Sequence, residues 1–530
     1  MSASETDAVA TDSDDGGITT SPISTVTTDT NGASAGSTSG TAGGTGTGST
    51  TGEELDEPPT IDLLTVNGAT ESLKVVAADN LHVEAIATDD VGVASVELFY
   101  RGESVGVRTE APYAWDIVVN SADDDNGEYT AYAVAVDTAD QESAKVGVDV
   151  EVLLPAGGTQ VWQAIDDDGT LAKAHGVAVD SFGDVIVVGF ENVSKEPVPS
   201  RMRIRKYRGT DGEILWERYY PEKNKTAPDG HCVARSVAVD TQGIIFVTGE
   251  LDLDGATSHL WVGKYSSDGL LLGTYKSSVA HSQGNDVAVS DLGGDDDAMI
   301  YVVGHATKPL LTSGMLAAFD TDLKPVWQEN SISIEGVDSI LNAVAVGGDG
   351  DFVVAGAYGA HLEDTRGYIA KHKPNKATVW WRASNTPVSA EDVAYDLGIT
   401  SDGRISGVGR RMLPGYPEAL WLFRLDSAGN DIGTEVDTSQ MCGSNGCALE
   451  IDVDDNHLLG GALRVAPGPD FLVAKKDADW KDAWVEAYDG YDGKEDRCLG
   501  VAADGVGYVY GVGFETKDGV ERWWISKHHP

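Results

Sequence analysis

One short phrase recurs seven times between His175 and Phe514: an apolar triplet of the V-A-V kind, a turn, then a triplet of the V-V-G kind. The copies begin at Val177, Val237, Val287, Val344, Leu397, Leu449 and Val501. They close on Gly189, Gly249, Gly304, Gly356, Gly409, Gly461 and Gly513. Six copies close twelve residues after they begin; the third is longer by five, all of it acidic and glycine filler around Gly293 to Asp297. A repeat of 50 to 60 residues built from short strands predicts a β-propeller or a related array.

Charge narrows the partners. The chain carries 86 acidic against 37 basic residues, a formal net charge of -49. Such a chain repels polyanions, which makes nucleic acid and anionic membrane surfaces poor partners and leaves cations and basic partners. No apolar run reaches membrane-spanning length. The start, MSASETDAVATDSDDGG, has neither a basic n-region nor an apolar h-region. The expectation is a cytoplasmic chain or a processed form of an exported one. Of four cysteines, Cys442 and Cys447 enclose Gly-Ser-Asn-Gly, a loop that could close as a local disulfide, and no spacing suggests zinc.

Composition divides the chain in three. Residues 1–57 are Ser, Thr, Gly, Asp and Ala with almost nothing to bury, which predicts a disordered spacer. Residues 58–154 alternate in about seven short stretches separated by turns such as Asp89-Asp90-Val91-Gly92 and Asp125-Asn126-Gly127, the count of an immunoglobulin-like sandwich. Residues 155–530 hold the repeats. Each repeat reads as four strands, the fourth usually carrying Trp, as at Trp216, Trp327, Trp380 and Trp484. The seventh repeat lacks its fourth strand, while an orphan stretch, residues 160–164 with Trp162, precedes the first. The fold class expected is all-β: a disordered tail, an Ig-like sandwich, and a seven-bladed propeller closed by residues 160–164.

The wording of the middle segment, ATDDVGVASVELFYRGESVG, APYAWDI and GEYTAYAVAVDTADQ, resembles the bacterial Ig-like domains appended to secreted enzymes and adhesins. That resemblance implies a spacer or adhesion module. HGVAVDSFGDVIVVG, RSVAVDTQGIIFVTG, NAVAVGGDGDFVVAG and LGVAADGVGYVYGVG resemble the bacterial β-propeller repeat (SBBP) family, which has no single chemistry. The tail is similar to tethers of mature bacterial surface lipoproteins, without their lipobox cysteine. The resemblances imply an extracellular or cell-surface location, with membrane contact only through an N-terminal lipid anchor that this sequence does not include.

Candidate site residues follow from position. His175, Arg235, Asn285, Asn342 and Tyr395 each stand two residues before a repeat's first apolar position, where loops lead into innermost strands. His231 and His281 lie six residues before it in neighbouring repeats and could face each other. Asp89, Asp90 and Asp137 could meet at one end of the sandwich and hold calcium, and Glu250, Asp252 and Asp254 loosely resemble an acidic calcium loop. Third-strand cations (Lys206, Lys264, Lys371, Arg424, Lys475 and Lys527) recur with first-strand Asp180, Asp240, Asp452 and Asp504, as expected of structural pairs. No G-x-S-x-G, H-E-x-x-H or phosphate-cradling loop is present, and no motif requires a cofactor. The expected function is non-enzymatic binding or display of a protein or carbohydrate ligand; the alternative is a hydrolase or lyase acting on a polysaccharide or peptide.

Overall fold

The structure, a computed structural model, describes residues 56–530 apart from 167–168, 194–198, 223–227, 291–297, 309–310, 333–335, 361–362, 385–390, 443–445, 466–467 and 491–492. The expected spacer, but for its last two residues, and the acidic filler of the third repeat lie outside the described residues.

Two sheets form the sandwich. One runs in the order Thr60–Val66, Asp79–Thr88, Tyr113–Val119; the other in the order Ser72–Val75, Val146–Val152, Gly127–Asp137, Val93–Tyr100, Glu103–Arg108. Alternation drives the packing: Leu81, Val83 and Ala85 point inward while His82 and Glu84 stay in water. Trp115 lies in the core, and its indole donates to the Gly106 carbonyl at 3.1 Å. The eighth strand, Ser72–Val75, pairs parallel with Val146–Val152; at four residues it is too short to show alternation in sequence. The sandwich rests on the seventh repeat, where Asn120 Nδ2 donates to the Val506 carbonyl at 2.9 Å.

The first four repeats each form an antiparallel four-stranded sheet, the first being Ala172–Val179, Val185–Asn192, Ser200–Tyr207 and Ile214–Tyr220. In the seventh, the strand Gln160–Ile165 pairs with Val520–His528, Trp162 opposite Lys527. The fifth and sixth repeats differ. The strand Asp431–Met441 overruns to eleven residues, and Ala448–Ile451 shrinks to four. The uncovered end of His457–Leu463 is then taken by Gln440 and Met441, which face Leu463 and Ala462. One eight-stranded sheet results.

The expected fold is corrected by this pairing. Seven independent four-stranded blades are not present, so the repeats are not the closed seven-bladed propeller of the sequence reading. They are separate sheets, five of four strands and one of eight, in a sandwich-like arrangement. The cores lie between layers: Ile186, Val188, Ile204, Val247 and Trp261 between the first two repeats, and Leu458, Phe471, Val501 and Trp524 between the last two.

Edge tryptophans bind sheet to sheet. The indoles of Trp162, Trp216, Trp327 and Trp380 donate to the carbonyls of Gly209, Ser267, Pro374 and Ser427, each in the next repeat, at 2.9 to 3.2 Å. In the Trp162, Trp216 and Trp380 contacts a turn glycine (Gly212, Gly269, Gly429) permits the approach, whereas the Trp327 contact has Lys376, at φ 65°, in that turn. Gly429 has φ 85°, and a Cβ there would stand 2.8 Å from Trp380 Cδ2. Gly429→Ala should cost about 2 kcal/mol, from a left-handed backbone plus the clash. Gly273→Ala, with no atom within 4 Å, is the control. Urea unfolding of the two variants measures the difference; equal midpoints would remove the docking role.

The recurring cations also hold the sheets. Lys206 meets Asp180 at 2.6 Å, Lys475 meets Asp452 at 3.2 Å and Lys527 meets Asp504 at 3.7 Å. Lys264 and Arg424 instead donate to the Thr321 and Ala478 carbonyls of the following repeats. Many acids cap their own turns, as Asp180, Asp426 and Asp504 do by accepting the N–H two and four residues on.

Candidate functional site

The first strands of all seven repeats line one cavity of about 700 Å³. Six of them carry a β-bulge, with register breaks at Ala174/Gly176, Ala234/Ser236, Gly284/Asp286, Leu341/Ala343, Ala394/Asp396 and Cys498/Gly500. A bulge re-aims the side chain it leaves unpaired. The skipped residues are His175, Arg235, Asn285, Asn342, Tyr395 and Leu499, and all six line the cavity. The residue two before the first apolar position is thus the bulged residue.

Two of these side chains are committed to the fold. Asn285 Nδ2 donates to the Leu341 carbonyl at 2.8 Å, and Asn342 Nδ2 to the Ala394 carbonyl at 2.9 Å, each bridging to the next repeat. His175 stacks on Phe190 with ring centroids 5.8 Å apart; burial, then Arg235, Lys173 and His231, hold its imidazole well below the usual range and keep it neutral. Arg235 faces Glu250 at 3.6 Å, and its buried Nε has no hydrogen-bond partner. Burial raises the Tyr395 phenol. His231 does not meet His281: it packs edge-on against Phe190 at 4.9 Å and bonds Ser200 Oγ at 2.6 Å, whereas His281 sits exposed in a left-handed turn.

Three carboxyls line the same cavity and were not singled out from sequence: Asp286, Asp396 and Glu450. Asp286 accepts from Ser236 Oγ at 2.6 Å and from the Val344 N–H of another repeat at 2.8 Å. Asp396 accepts from the Leu397 and Leu449 N–H groups at 2.8 and 2.9 Å. Burial raises both, and the charge of Asp286 adds to the rise at Asp396. Glu450 has a different position. It is the middle residue of its triplet, where the other six repeats have Ala178, Ala238, Ala288, Ala345, Gly398 and Ala502. That exception to the repeat was the signal available in sequence. Glu450 is open to the cavity yet walled in by the sheets, and this desolvation, with the charges of Asp286 and Asp452, pushes its carboxyl up to about 7.

A carboxyl raised in the fold binds more protons there than in the unfolded chain, so its contribution to stability falls as pH rises from about 4.5 to about 7. Glu450→Gln should therefore stabilise the protein at pH 8 and change little near pH 4.5. Urea midpoints across that range test it; a pH-independent offset would contradict the desolvated carboxylate.

The acids proposed for calcium separate. Glu250 pairs with Arg235, while Asp252 and Asp254 cap a turn by accepting from Gly255, Ala256 and Thr257 N–H. Asp89 and Asp90 instead cluster with Asp56, a residue of the expected spacer. Cys442 and Cys447 form a disulfide, Cα atoms 5.0 Å apart.

Residues 65–133 match the sequence family described as bacterial Ig domain, which places that family in the sandwich and does not reach the repeats. The likeness of the repeats to the SBBP family is not shown. No curated protein matches the chain. Among solved structures, the chain is similar to the fibronectin(III)-like modules of Clostridium thermocellum CbhA at 20% identity, over 17% of this chain and 98% of theirs, with a TM-score of 0.15. A protein of unknown function from Dyadobacter fermentans is similar at 14% identity, over 70% and 98%, with a TM-score of 0.41. Sqt1 from Chaetomium thermophilum is similar at 11% identity, over 67% and 87%, with a TM-score of 0.35.

Proposed function

We propose that this is a non-enzymatic extracytoplasmic binding or display protein, in which the Ig domain carries the sheet array and the cavity mouth takes the ligand. The observation that carries this reading is the join of a bacterial Ig domain to a cavity ringed by re-aimed polar side chains. A protein or carbohydrate ligand suits that ring, because amide, guanidinium and phenol groups recognise hydroxyls and peptide groups. The strongly acidic chain disfavours polyanions. A glycan and peptide array probed with the full chain tests the reading. Binding of one ligand class, weakened by Arg235→Ala, is expected; a hit unaffected by every change at the cavity mouth would move the site elsewhere.

One observation favours a second reading, a hydrolase or lyase. Glu450, whose carboxyl is pushed up to about 7, lines the cavity and could serve there as a general acid. Against it, Asp286 and Asp396 spend their oxygens on backbone N–H groups, which leaves no second free carboxylate among the described residues that line the cavity. Turnover of an array ligand that is abolished in Glu450→Gln would favour the enzyme.

A further inference from the structure

We propose that Asp56, Asp89, Asp90 and Asp137 form a calcium site where the chain enters the sandwich. The carboxylate oxygens of Asp56, Asp89 and Asp90 all lie within 4.8 Å of one another. Clustered acids alone do not make a site; Asp137, outside that group of three, adjoins it through Gln141, whose N–H donates to Asp137 Oδ1 and whose Nε2 donates to the Asp56 carbonyl. Asp137 is 1% exposed, and its Oδ1 accepts from the Ala139 and Gln141 N–H groups at 2.7 and 2.8 Å. Its Oδ2 is buried and has no hydrogen-bond partner. Asp89 is divided in the same way: Oδ2 accepts from Val91 and Gly92 N–H, and Oδ1 is buried without a partner. Asp56 Oδ1 is a third orphan.

Three carboxylate oxygens withdrawn from water without donors carry a large penalty unless a cation meets them. The segment at Asp56 is already tied in, with Gln141 Nε2 donating to the Asp56 carbonyl at 3.2 Å and Glu57 N–H to Asp90 Oδ1 at 3.4 Å. The donors are oxygen only, with no His or Cys, which selects a hard cation. Calcium takes six to eight oxygens in flexible geometry, whereas magnesium demands a tight octahedron and keeps its waters. Four carboxylates, with waters completing the shell, suit the former. This site lies apart from the cavity and does not depend on the reading of its ligand.

The test is calorimetric titration and thermal unfolding of the full chain in EDTA, calcium and magnesium at equal ionic strength. Wild type should show one saturable calcium isotherm above a diffuse background, and a midpoint a few degrees higher in calcium than in magnesium. Asp56→Asn, at a partly exposed position that does not threaten folding, should weaken that isotherm at least tenfold. Asp137→Asn, where it folds, should do the same. Asp252→Asn, in the other acidic loop, should leave it intact. Equal midpoints in the two ions, an Asp56→Asn isotherm superimposable on wild type, or loss of the isotherm in Asp252→Asn would each overturn the proposal.

Discussion

Replacing Gln160–Ile165 with a Gly-Ser stretch of equal length should lower the thermal midpoint by several degrees or abolish cooperative unfolding. The strand supplies the ladder partners of Trp524, Ile525, Ser526, Lys527 and His528. Losing about four ladder bonds at about 1 kcal/mol each, plus about 2 kcal/mol of burial at Trp162, gives about 6 kcal/mol. The damage extends beyond one strand. Trp162 packs over Gly212, and Lys527 donates to the Gly209 carbonyl at 2.9 Å, so both tie the chain's last sheet to its first repeat. A milder variant, Trp162→Ala, should lose about 2 kcal/mol of the same total. An unchanged midpoint in the replacement would mean that the pairing contributes nothing to stability.

Asp392→Ala should be the most damaging single substitution on a polar side chain, at about 3–5 kcal/mol. Asp392 is fully buried, and Arg411 is 7% exposed. The guanidinium grips both carboxylate oxygens at 2.7 Å through Nε and Nη2 and lies 5.4 Å from the Trp421 ring. Removing the acid strands a charge that cannot reach water. Removing both partners is different: Asp392→Leu with Arg411→Met replaces the pair by apolar groups of similar reach and should recover most of the loss. Chemical unfolding of the single and double variants gives the coupling directly. Additive losses would show that the two groups do not act together.

The repeats were legible because each states its own strands: an apolar triplet, a turn with Gly or Asp, and a second triplet. Position alone also pointed to His175, Arg235, Asn285, Asn342 and Tyr395, all of which line the cavity, but as residues of entry loops; they lie inside the first strands, at bulges that the sequence did not announce. What those residues do was not legible either. Asn285 and Asn342 look like ligand-binding amides, yet each spends a donor on a carbonyl of the next repeat, a partner more than 50 residues away in sequence. The merger of the fifth and sixth repeats depends on two extra residues, Gln440 and Met441, meeting an edge that a shortened strand leaves bare. No periodicity encodes that event. Glu450 was visible as the one charge in seven apolar triplets, but an internal exception is easily lost in a pattern read for its regularity. Asp56 was hidden by composition, since it follows Glu53-Glu54-Leu55 and reads as spacer until the fold brings Asp89 and Asp90 beside it.

The two remaining thiols give the protein a chemical clock. Cys232 and Cys498 are wholly buried, and burial pushes each thiol up to about 12, so neither forms the reactive thiolate while the fold is closed. Cys442 and Cys447 are tied to each other and add no background. Cys232 sits in the core between the first two repeats, and Cys498 in the core between the last two. A thiol reagent therefore reads the opening of those two interfaces separately. If the layers part independently, the two residues will be modified at different rates, and the slower one marks the more durable interface.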